Sequence, residues 1–98
     1  MKPRRIDAAA RAELLHEVAY YEQVRAGAGR RFRQSVDALL ERIQRSPLAG
    51  VPDEAGTRRL RVKGFPFSIV FRAEAADIIV YAIRPDARRP GYWLERMK

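Results

Sequence analysis

Apolar and polar residues divide this chain into an early half with a helical period and a later half with a strand period. Lys2 to Ile6 predicts a short first strand. Asp7 then stands as a helix N-cap before Ala8, Ala9 and Ala10, the residue type with the best helix propensity. Apolar side chains recur at Leu14, Leu15, Val18, Tyr21 and Val24, the three-and-four spacing of an amphipathic helix, and Gly27 and Gly29 are read as its end. The first helix is therefore placed at Ala8 to about Arg25. A second carries Phe32, Val36, Leu39, Leu40 and Ile43 on one stripe, with Arg30, Arg31, Arg33, Asp37, Glu41 and Arg45 mostly elsewhere, until Pro47 stops it. Two helices joined by a short glycine turn predict an antiparallel hairpin.

From Leu48 to Gly56 the prolines and glycines spell a loop, after which the hydrophobic period changes to two. Thr57 to Lys63 is read as a half-buried strand, with Leu60 and Val62 on one face and Arg59, Arg61 and Lys63 on the other. Phe65 to Arg72 and Asp77 to Arg84 are richer in apolar residues, as strands covered on both faces are, and Glu74 to Asp77 makes the turn between them. The three strands form a meander. Neither the hairpin nor the sheet, with Phe67, Ile69, Phe71, Ile79, Tyr81 and Ile83, can bury its apolar side alone, so the two pack as layers of an α+β fold. After Arg84 the chain reads as an irregular tail that folds back, because Tyr92 and Trp93 need an apolar surface to cover.

Composition narrows the chemistry. With 98 residues, 47% of them hydrophobic, the expectation is one domain spanning 1–98 with a modest core. No apolar run approaches the roughly 18 residues of a membrane span, and no secretory signal opens the chain, so a cytoplasmic location is expected. The chain has no cysteine and one histidine, His16, which leaves a metal site almost without ligands; neither metal nor other cofactor is expected. A formal charge of +8 points to an acidic partner, and charge alone leaves open whether that is nucleic acid or protein. Arginine supplies 17 of the 20 basic residues, and its forked guanidinium pairs with carboxylate or phosphate in bidentate fashion. Arg59, Arg61 and Lys63, at strand intervals of about 6 to 7 Å, suit a run of phosphates, or else form a solvated strand face.

The element order resembles the RelE/ParE superfamily of type II toxin–antitoxin toxins, and three segments make the similarity specific. Arg61-Val62-Lys63-Gly64-Phe65-Pro66-Phe67 looks like the family's basic strand and the Phe-Pro opening of the next; Ile79-Val80-Tyr81-Ala82-Ile83 is similar to its last strand. Arg88-Arg89-Pro90-Gly91-Tyr92-Trp93 resembles the Arg-x-Pro-x-Tyr-Trp ending of the ParE-like branch. The resemblance implies a toxin neutralised by a cognate antitoxin from an adjacent gene, and it divides by branch. A ParE-like chain inhibits DNA gyrase by binding, whereas a RelE-like chain is a ribosome-dependent messenger RNA endonuclease; a non-toxic basic binding domain is the third alternative.

For a nuclease the resemblance nominates Arg59, Arg61, Lys63 and Tyr92. Those nucleases carry a further arginine where Ser68 stands, and several relatives a histidine where Pro85 stands, so the acid–base set is incomplete and the ParE-like reading leads. His16, on the first helix, is given no catalytic role. Target contact is assigned to Arg59, Arg61, Lys63, Arg84, Arg88 and Arg89, with Arg96 as a neighbour, and antitoxin contact to Arg11, Tyr20 and Arg25. Trp93 is read as a tail anchor.

Overall fold

The Asp7 carboxylate accepts the backbone N–H of Ala9 at 3.0 Å, and this cap opens the first helix where the sequence places it. The computed structural model describes residues 1–97. Two helices, α1 (Ala8–Val24) and α2 (Ala28–Arg45), form the antiparallel hairpin. Gly27 turns the chain between them in the left-handed region, at φ 85°. Gly29 is not a terminator: it lies in the first turn of α2, where a Cβ would stand 2.5 Å from the Val18 carbonyl oxygen of α1. Its missing side chain is what lets the two helices approach so closely.

Glu22 of α1 closes the same corner by accepting the N–H groups of Gly27 at 2.9 Å and Gly29 at 3.1 Å, two donors that the start of α2 leaves unpaired. The Gly27 N–H, ahead of the other causes, holds the Glu22 carboxyl below its ordinary pKa. A depressed folded-state pKa means that this contribution is present above the ordinary value and is lost as pH falls through the folded one. Glu22→Gln is therefore expected to flatten the acid limb of stability. Urea midpoints compared over about pH 3 to 6 check this; parallel curves for variant and parent would contradict it.

The predicted stripe of α2 is buried throughout, with Phe32, Val36 and Ile43 fully inaccessible. The α1 stripe is only half right. Ala10 and Leu14 are buried and Val18 and Tyr21 pack at the core margin, but Leu15 is 51% and Val24 64% exposed. Tyr21, Phe32, Phe65 and Phe67 meet mostly edge to face, at centroid distances from 5.0 to 6.3 Å, and close the core at the loop end of the hairpin. Among the described residues, no helix is long and apolar enough to cross a membrane.

Five strands, β1 (Arg4–Ile6), β2 (Val51–Pro52), β3 (Arg58–Arg61), β4 (Phe67–Ala73) and β5 (Ile78–Pro85), form one sheet in the order β1-β5-β4-β3-β2. The predicted meander is β3-β4-β5, antiparallel throughout. β1, however, runs parallel to β5, so the sheet is mixed; the helices and meander between the two strands supply the long connection that parallel pairing needs. β2 falls inside the stretch read as a loop, and its Pro52 is tolerated because β2 is an edge. β3 stops at Arg61, two residues early, because the Val62 N–H donates to the Phe67 carbonyl and closes a turn that contains Lys63.

A bulge decides which side chains β5 buries. Val70 pairs with Ala82 and Phe71 with Val80, so Tyr81 is the extra residue. Strict alternation would put Ile79, Tyr81 and Ile83 on one face. The bulge instead sends Ile78, Val80 and Ile83 under the helices with Phe67, Ile69 and Phe71, and leaves Ile79, Tyr81 and Ala82 on the opposite face with Val70. The tail covers that face. It includes a 3-10 turn (Leu94–Met97), and Trp93, fully inaccessible, lies against Val70, Tyr81 and Ala82. The strands read as covered on both faces are indeed covered, by helices on one side and the tail on the other.

Candidate functional site

Register places the arginines. Arg61 is opposite Ser68 on β4, and Ser68 is opposite Arg84 on β5, so the two arginines flank a buried serine from either side. Arg59 lies two residues back on β3, opposite Val70, on the same outer face. The three arginines, Ser68, Val51 and Asp86 line a groove of about 520 Å³ where the tail's cover ends. β2 walls it. Gly50, at φ 83°, leads into β2 with no side chain because a Cβ there would stand 2.3 Å from the Arg59 carbonyl oxygen.

The guanidinium groups are held by weak partners. Arg61 donates to Asp86 at 2.6 Å, and Arg59 faces Asp53 at 3.3 Å; both pairs are solvated on the arginine side, the kind worth about 1 kcal/mol or less. Arg84 donates through Nη2 to the Arg88 carbonyl at 3.1 Å, and its Nε is buried with no partner among the described residues. Three cations therefore share two carboxylates, and one buried donor among them has no partner among the described residues.

The other nominated residues lie elsewhere. Lys63, outside the strand, borders a shallow hollow with Arg61, Arg42 and Leu39 next to α2. Arg88 stacks on the Tyr92 ring, 3.9 Å from its centre, and lines a separate hollow with Glu13, His16 and Glu17. Arg89 is exposed on the tail. Of the antitoxin candidates, Arg11 and Tyr20 are exposed on α1 and Arg25 follows its end. His16 is exposed, 2.9 Å from the Glu17 carboxylate, and does not line the arginine groove.

Tyr92 is tied down by a residue the sequence reading passed over. Glu13 of α1 accepts the Tyr92 hydroxyl at 2.6 Å, both terminal nitrogens of Arg96 at 2.9 and 3.0 Å, and the Ile83 N–H at 3.0 Å. Arg96 also donates to the Tyr81 carbonyl at 2.9 Å. β1 ends opposite Val80, so Glu13 and Arg96 satisfy backbone groups of β5 beyond the reach of β1. Burial first, then the bond to Glu13, keeps the Tyr92 hydroxyl protonated far above its ordinary range. Arg96, read as a neighbour of the basic patch, is committed to this cluster. The only local hint of Glu13's role is its place beside the buried Ala10 and Leu14.

No metal-binding group of three or more acidic or histidine side chains occurs among the described residues. The groove offers guanidinium forks and a hydroxyl, a set made for binding an anion.

A family model, the ParE toxin of the type II toxin–antitoxin system parDE, matches residues 5–90. A solved structure of a chromosomal ParDE TA system from P. aeruginosa is similar in fold, with a TM-score of 0.76 at 20% identity over 87% of this chain and 96% of that one. No curated protein matches the chain.

Proposed function

This chain belongs to the ParE toxin family of type II toxin–antitoxin systems, and from that premise we propose that it is a toxin that inhibits DNA gyrase by binding and is neutralised by a cognate acidic antitoxin. The observation that carries binding over RNA cleavage is the Tyr92 hydroxyl, donated to Glu13 and kept protonated. Cleavage needs one group to take the 2′-hydroxyl proton and another to protonate the leaving oxygen. Beside Arg59, Arg61 and Arg84 the groove presents Ser68 and an Asp86 already paired with Arg61, whereas Tyr92 and His16 are not among its walls. Arginine stabilises charge but is a poor proton carrier at neutral pH.

Titrating purified chain into a gyrase supercoiling reaction tests the reading. Supercoiling is expected to fall, or cleaved DNA to accumulate; unchanged topoisomers at toxin excess would overturn it. Mapped messenger RNA 5′ ends after induction are expected to show no new cuts at the ribosomal A site.

Antitoxin contact is proposed along the exposed sides of α1, with Arg11, Tyr20 and Arg25 as first candidates. What supports it is that α1 is apolar on both faces: Leu15, Tyr20 and Val24 are each at least half exposed. Tyr20→Ala is expected to weaken the antitoxin complex about tenfold or more, as truncation of an aromatic anchor does, with the circular dichroism of the free chain unchanged. Titration calorimetry against the co-encoded antitoxin checks this, and an unaltered affinity would remove Tyr20 from the interface.

A further inference from the structure

We propose that the groove between β2, β3 and β5 is a phosphate site that holds one backbone phosphate of a DNA strand, gripped by Arg59, Arg61 and Arg84 above Ser68. The choice of DNA rests on gyrase, an enzyme that works on DNA, being the target; the phosphate site itself does not. Three features lead to it. The arginines line one groove from two strands, on either side of the buried Ser68, so an anion seated there has guanidinium donors on both sides of it. A planar carboxylate is satisfied by one such fork, whereas a phosphodiester presents several acceptor oxygens in a tetrahedral array and uses several forks and a hydroxyl at once. The buried Arg84 Nε has no partner among the described residues, and a buried donor is costly to leave unpaired. A ligand oxygen entering between Arg61 and Arg84 would supply one.

The third feature is the weakness of the present partners. The Arg61–Asp86 and Arg59–Asp53 pairs, solvated on the arginine side, hold the side chains in place and compete only weakly with a phosphate. Asp86 is the built-in competitor: it sits on the groove wall and takes the guanidinium that a phosphate would take. Exposed Val51 offers an apolar surface beside the anion, against which a sugar can lie.

The experiment uses the full chain, freed of antitoxin, and fluorescence anisotropy of labelled single- and double-stranded DNA across a salt series. Wild type is expected to bind one of the two DNA forms. Arg61→Gln and Arg84→Gln are each expected to raise Kd about tenfold and to reduce the slope of log Kd against log salt by about one. Arg30→Gln, which removes the same charge from the exposed surface of α2, is expected to leave both nearly unchanged. Asp86→Asn should tighten binding several-fold, and Asp37→Asn on α2 should not. Arg84→Lys separates fork from charge: it is expected to bind less well than wild type while keeping most of the salt slope. Should Arg84→Gln fail to fold, Arg61→Gln and Asp86→Asn carry the test from exposed positions.

Equal losses in the groove and control variants would mean diffuse attraction and overturn the site. So would absent DNA binding, or a groove that binds poly-glutamate but not DNA. A same-sequence RNA strand bound more tightly than DNA would overturn the choice of DNA. Supercoiling inhibition that persists in groove variants lacking DNA binding would overturn the site's part in inhibition while leaving the gyrase reading intact.

Discussion

Trp93→Ala is expected to lower the unfolding free energy by about 4 kcal/mol, the middle of the range for removing a buried aromatic side chain. Trp93 is fully inaccessible, and it is the tail's main cover for Val70, Tyr81 and Ala82 on the outer face of the sheet. For a chain near 100 residues, that loss shifts the melting midpoint down by roughly 15 to 30 °C. Thermal melts followed by far-ultraviolet circular dichroism give the answer; a drop of less than about 5 °C, little more than 1 kcal/mol, would show that the tail is dispensable to the core. Trp93→Phe should cost much less. Its smaller ring loses contact area, but the indole Nε1 is a buried donor with no partner among the described residues, and phenylalanine removes that liability.

Glu13→Ala is expected to cost about 3 kcal/mol, because it strands partners that are themselves withdrawn from water. The Arg96 side chain is 17% exposed and the Glu13 side chain 15%, so neither charge is freely solvated without the other. The Tyr92 hydroxyl and the Ile83 N–H lose their acceptor in the same step. Tyr92→Phe removes one donor to that carboxylate and should cost about 2 kcal/mol, the range for a hydrogen bond to a charged group. Urea unfolding of both variants checks the order, and a Tyr92→Phe loss as large as that of Glu13→Ala would mean that the carboxylate is not the centre.

Alkali probes the same cluster. The Tyr92 pKa is raised by burial and then by Glu13, with Arg96 and Arg88 opposing. A raised folded-state pKa means that the contribution is whole below the ordinary value of 10.0 and is lost as pH rises through the folded one. Stability of the parent is thus expected to decline above about pH 10, and Tyr92→Phe to flatten that decline.

The tail shows how far local reading reaches. Trp93 and Tyr92, two large rings side by side, announced a segment that must find apolar cover, and both found it on the sheet. Where they would dock was not legible, because the face they cover exists only after the Tyr81 bulge reverses the phase of β5. Alternation assigned Tyr81 to the helix side, and one extra residue, invisible in a period-two pattern, moved it to the other. Glu13 was missed for a related reason. A carboxylate on a helix marks nothing locally, and the three residues that donate to it arrive from β5 and the tail, about 70 or more residues away.

The groove divides in the same way. Arg59 and Arg61 on one face followed from strand periodicity, but Lys63 left the set because β3 yields to a turn two residues before the pattern does. Arg84 joined them through the pairing of β4 with β5, at a distance in sequence that no motif spans.

By itself, the sequence determined whatever depends on neighbouring residues: the Asp7 cap, the α2 stripe, the Gly27 turn, the basic alternation at Arg59 and Arg61, and an ending that had to fold back. Only the tertiary structure decided the parallel seat of β1, the bulge at Tyr81, the Glu13 cluster and the meeting of Arg84 with Arg59 and Arg61. The physical reason is range: caps, turns and periodicities are settled by backbone sterics and burial within a few residues, whereas register and partnership are settled by which distant surfaces exclude water together.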